Sequence, residues 1–103
     1  MDKIAALTEI LKTDPSNAFA RYGLAMEHLS QGNTEPALSE FSALIQSNPD
    51  YVAAYQMSAQ TLAKLGRNDE AITRLKEGLT VAGRTCNAHA ASEMQALLDD
   101  FIL

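Results

Sequence analysis

The sequence has one cysteine, no tryptophan and three prolines in 103 residues. A lone thiol excludes an intrachain disulfide, so nothing covalent staples the fold and a reducing compartment suits it. Aromatic residues make up 6% of the chain. A core must therefore come from small side chains on closely approaching elements. Valine occurs twice, which disfavours sheet, where β-branched residues pack best. No apolar run approaches the ~20 residues that cross a bilayer. The first residues carry Asp2 and Glu9 and lack the apolar stretch of a secretory leader, so the expected location is cytoplasmic. Basic residues are scarce, 8 against 13 acids, and the net charge is −5. Binding phosphate needs clustered Lys and Arg, so neither nucleic acid nor an anionic membrane is an expected partner.

Alanine and leucine are abundant, at 17 and 13 residues. Both lose little on entering a helix, which points to an all-α chain. Sliding the sequence by 34 residues aligns Pro15 with Pro49, Ala20 with Ala54, Ala25 with Ala59, Gly32 with Gly66 and Ala37 with Ala71. Similar pairs share the register: Leu38 with Ile72, Phe41 with Leu75, Ile45 with Leu79. The matches fall on turn and small-residue positions, which constrain a repeat geometrically.

Breakers divide the chain into helices over 2–13, 15–31, 34–47, 49–65, 68–82 and 86–101. Asp14-Pro15 and Asn48-Pro49 read as N-caps followed by proline at the first helical position. Gly32 and Gly66 read as left-handed helix ends, and Gly83 as the end of the last long helix. Thr34 and Asn68 read as caps, with Glu35 and Asp69-Glu70 favourable at the positive helix end. Connections this short predict antiparallel hairpins.

On these residues the chain resembles the tetratricopeptide repeat family. Ala37-x3-Phe41-x7-Pro49 matches the family's second helix, and Ala71-x3-Leu75 repeats it with Gly83 in the proline position. The first-helix pattern is degenerate. Arg21, Leu24, Ala25 and His28 hold its positions once, and Tyr55, Ser58, Ala59 and Leu62 hold them again. Arg21 in the aromatic position is the clearest departure. The resemblance implies antiparallel hairpins stacked as a short right-handed solenoid of about six helices. Residues 1–103 form one domain in this reading, with full repeats at about 15–48 and 49–82. Half repeats at 2–13 and 86–101 flank them.

Side-chain chemistry for catalysis is sparse. Cys86-x2-His89 is half of a zinc ligand set, and only His28 is left to add to it. Asp69-Glu70 and Asp99-Asp100 are adjacent residues, which diverge by ~100° on a helix and cannot share a proton. Lys64, Arg67, Arg74, Lys76 and Arg84 alternate with Asp69, Glu70 and Glu77, a salt-laced surface. No catalytic residue, metal site or cofactor is expected.

The resemblance implies a concave groove lined by the first helices. Its positions are Phe19, Tyr22, Met26, Leu29 and Ser30, then Ala53, Gln56, Gln60, Ala63 and Lys64, then Asn87, Ala90, Met94, Leu97 and Leu98. Some members hold a partner's terminal carboxylate with Lys, Arg and Asn. Tyr22, Met26 and Met57 occupy three such positions here, which disfavours that clamp. Phe19, Tyr22, Met26 and Leu29 instead form one apolar helical stripe, either groove or core. The expected function is a non-catalytic protein–protein interaction module. It would take a peptide or helix on Phe19, Tyr22, Met26, Leu29, Gln56, Gln60 and Met94. The alternative is a homo-oligomer assembled through the apolar segment from Met94 to Leu103.

Overall fold

The computed structural model describes residues 2–102, and side chains through Phe101. Six helices follow in order: α1 (Lys3–Thr13), α2 (Ala18–Ser30), α3 (Thr34–Ser47), α4 (Val52–Lys64), α5 (Asn68–Arg84) and α6 (Ala88–Ile102). Among the described residues there is no strand. The chain divides into two compact units, Met1–Asn48 and Pro49–Leu103.

In the first unit α2 packs against both α1 and α3. Ala25, Ala37, Phe41 and Leu44 are fully buried, so small residues on α2 and α3 make the close approach the repeat pattern requires. In the second unit α5 packs against α4 and α6, which touch each other along a narrower line. Asp50, just before α4, pairs with Arg84 at the end of α5. The start of α4 thus lies beside the end of α5, an antiparallel arrangement, and α6 then returns in the direction of α4. Gly78 on α5 is a point of close approach in this unit. A Cβ there would stand 2.6 Å from Met94 Sδ and 2.8 Å from Tyr55 Cβ.

The proline pairs act as helix stops, not starts. Asp14 and Asn48 are C-caps of α1 and α3, with φ, ψ of −139°, 76° and −135°, 75°. Proline drives the preceding residue out of the helical region, so each pair ends one helix before the next begins. A turn follows, and α2 and α4 start three residues later than the sequence implied. Asn17 is the N-cap of α2, its side chain accepting the Ala20 N–H at 2.9 Å. Tyr51 precedes α4 without a side-chain cap bond. Thr34 and Asn68 are first helical residues; Asn33 and Arg67 hold the cap positions, also without side-chain cap bonds.

Gly32 and Gly66 take φ of 79° and 75°, as their helix-ending role requires. Gly83 does not end a helix; it lies inside α5. The left-handed residue there is Cys86, at φ 57°. All three turns close alike. Asn33, Arg67 and Asn87 donate their N–H to the carbonyls of His28, Leu62 and Ala82, five residues back, at 2.8, 2.9 and 2.8 Å. This is the six-to-one bond of a Schellman closure. Cys86 thus occupies the glycine's place in the third turn, and Asn87 caps α6 through the Ala90 N–H at 3.1 Å.

Candidate functional site

Four of the expected groove residues lie in the first unit, on α2. Phe19 is 82% exposed. Tyr22, Met26 and Leu29 are partly buried. The Tyr22 ring lies 6.1 Å from that of Phe41, at 57°. Tyr22 therefore also holds α2 on the core residue of α3. His28, on the same helix, buries its Nδ1 with no hydrogen-bond partner among the described residues.

Arg21 shows how the first unit manages without an aromatic at that position. Its Nη2 donates to the Pro15 carbonyl at 3.2 Å, and its Nη1 reaches both Glu40 oxygens at 3.3 and 3.0 Å. One repeat on, Tyr55 donates its hydroxyl to the Pro49 carbonyl at 2.7 Å. Two different side chains make the same bond, six residues after the proline. Burial raises the Tyr55 phenol above its usual pKa, and the nearby Glu77 charge adds to the shift.

The remaining expected residues lie in the second unit. Gln56 and Gln60 on α4 share an open cavity of about 430 Å³ with Ala63, Lys64, Glu93 and Leu97. Alpha4 contributes Gln56, Gln60 and Lys64 as one stripe at four-residue spacing; α6 contributes Glu93 and Leu97 at the same spacing. Gln56 Nε2 donates to Glu93 Oε2 at 3.0 Å, which ties the two walls together at one end. The other Glu93 oxygen pairs with His89. Gln60 and Lys64 make no hydrogen bond or ion pair among the described residues. The cavity thus has an amide–carboxylate end, an apolar middle at Ala63 and Leu97, and a cationic end.

Met94 is not a groove residue. It is 0% exposed and fills the space beside Gly78. Ala90 and Leu98 are buried too. The inner face of α6 serves the core, and the cavity is reached from its flank. Glu93 lines that flank, and sequence reading missed it: a glutamate on a helix carries no mark of a partner 37 residues away.

Cys86 is an exposed free thiol, and no cluster of metal-ligating side chains occurs among the described residues. No described helix is long and apolar enough to cross a membrane.

Two family models, both described as tetratricopeptide repeat, match residues 28–98 and 4–51. The chain belongs to the tetratricopeptide repeat family. A solved tetratricopeptide repeat domain protein from Salinibacter ruber is 36% identical, with a TM-score of 0.80 over 84% of this chain and 88% of that one. The TPR2B domain of yeast Sti1, solved as a complex with pHsp70, superposes with a TM-score of 0.86 over 92% of this chain and 76% of its own, at 22% identity. The tetratricopeptide repeat and J domain-containing co-chaperone DNJ1 of Cryptococcus neoformans is 32% identical over 93 residues, 90% of this chain. The chain spans only 17% of that protein's length. Tetratricopeptide repeats are generally non-catalytic, and membership makes this chain a protein–protein interaction module of the all-α, helical-repeat class.

Proposed function

We propose that the module binds a short segment of another protein in the cavity between α4 and α6, and that it performs no catalysis of its own. The cavity carries the reading. Its volume of about 430 Å³ accommodates one or two side chains, and it lies on five of the positions that the family register assigns to a ligand groove: Gln56, Gln60, Ala63, Lys64 and Leu97. Ala63 and Leu97 offer an apolar floor, and the Gln60 amide can bond a ligand's main chain without demanding a charge. Chaperone-related relatives give the same direction: DNJ1 is named a co-chaperone, and the Sti1 domain was solved with pHsp70. Phe19, Met26 and Leu29 on α2 provide a second contact surface in the first unit, with Tyr22 shared between that surface and the core.

Self-assembly through the C-terminal segment has less support. Leu98 is buried, Leu97 and Phe101 are partly buried, and Asp99 and Asp100 point outward. The Ile102 side chain and Leu103 lie outside the described residues. A cytoplasmic location belongs to the same proposal, since a reducing compartment keeps the exposed Cys86 thiol free.

The test is selection from a random-peptide display library on the full chain, with Gln60→Trp as the blocked control. The expected result is a set of enriched peptides that bind the native chain and not the variant. Peptides that bind both equally would place the ligand elsewhere.

A further inference from the structure

The ends of the cavity differ in charge, and the difference selects a ligand. We infer that the cavity is built for an extended segment carrying a basic residue and an acidic residue four positions apart, with an apolar residue midway. The inference rests on the cavity being the binding site.

Three observations converge on it. At one end stands the Glu93 carboxylate, held by Gln56 and His89. A carboxylate has about four acceptor sites, so two donors leave room for a third from a ligand Lys or Arg. At the other end stands Lys64, an exposed ammonium with no ion pair among the described residues. It is the charge a ligand carboxylate would answer. Between them the Ala63 and Leu97 side chains offer apolar surface and no polar contact.

The spacing sets the register of an extended ligand. Gln56, which marks the Glu93 end, and Lys64 are eight residues apart on α4, or about 12 Å along the axis at ~1.5 Å per residue. An extended chain advances ~3.3 Å per residue and covers that length in about four. Alternate side chains of an extended chain share a face, so residues one, three and five all point into the trough. The first meets Glu93, the third the apolar floor, the fifth Lys64. An extended segment also leaves its backbone N–H and C=O unpaired, and the Gln60 amide, which has no hydrogen bond among the described residues, can answer them. The interior of a helical ligand has its backbone N–H and C=O groups already paired with each other.

The enriched peptides of the display selection test this directly. The expected motif is Lys or Arg, any residue, Leu, Ile or Met, any residue, Asp or Glu, in either chain direction. Neutralising either ligand charge should weaken a selected peptide about 1.5- to fivefold, the range of an exposed ion pair. Repeating the selection on Lys64→Glu should exchange the acidic position for a basic one. Peptides that are lost with Gln60→Trp but carry no paired charges would overturn the charge inference and leave the binding site standing. Charged peptides whose acidic position survives unchanged in Lys64→Glu would overturn it as well. A selection with no peptide sensitive to Gln60→Trp would fail the site itself.

Discussion

The two units use one plan with different contents. At the place where the second unit puts Tyr55, the first puts Arg21, and both donate to the carbonyl of the proline six residues earlier. Tyr55 is buried against α5; Arg21 is only partly buried and adds an ion pair to Glu40, at side-chain exposures of 21% and 19%. The glycines show the same contrast. Gly23 on α2 faces Leu7 of α1 at 3.6 Å, with room for a methyl group. Gly78 on α5 has none. Alpha1 has no fully buried residue, whereas α6 buries Ala90, Met94 and Leu98. A repeat therefore fixes where helices turn and which position bonds the turn. How tightly the flanking helix is held depends on the residue facing it.

The glycines should show the largest difference between the two units. Gly78→Ala forces a Cβ into Met94 and Tyr55 Cβ and should cost about 1–3 kcal/mol, the range for overpacking. Gly23→Ala meets ordinary contact and should stabilise by roughly 0.5–1 kcal/mol through helix propensity. Chemical denaturation of the two variants reads the difference, and equal shifts would erase the distinction between the units.

The three turns provide a smaller, opposite-signed pair. Gly66→Ala places a side chain at φ 75° and should cost about 1 kcal/mol, while Cys86→Gly relieves the same conformation at φ 57° and should gain up to about 1 kcal/mol. A destabilised Cys86→Gly would mean that the thiol makes a contact worth more than the backbone relief.

The smallest effect sharpens the Arg21–Tyr55 contrast. Burial raises the Tyr55 pKa in the folded chain above its value of 10.0 in the unfolded one. The folded state then holds the phenol proton more tightly, so this contribution is complete below pH 10 and is lost as pH rises through the folded value. Melting temperature should fall faster above pH 10 in the native chain than in Tyr55→Phe. Parallel pH curves would show that the phenol's surroundings do not differ between the two states.

Much of this was legible in the sequence, for physical reasons. Ala20, Ala25, Ala37, Ala54, Ala59 and Ala71 are all buried because close helices tolerate only small residues there, and that restriction gives the 34-residue register. Gly32 and Gly66 were legible because few other residues adopt their backbone conformation. Asp14-Pro15 misled because an Asx-Pro pair suits both the end of one helix and the start of the next. Cys86 was invisible because nothing in a cysteine favours positive φ, and Gly83, three residues earlier, was the better candidate. Met94 was misplaced because α6 is apolar at 94, 97 and 98, on two adjoining faces, and only the packing beside Gly78 shows which face is inward. The Gln56–Glu93 bond joins distant positions and has no local signal.

The central claim is that ligand enters between α4 and α6. A photo-activatable residue placed at Gln60, with the same residue at the exposed Thr73 of α5 as control, tests it in cells. Position 60 should cross-link to one contiguous segment of a partner protein, and position 73 should not. Cross-links of equal yield and identity from both positions, or cross-links from position 60 only to other copies of this chain, would contradict it.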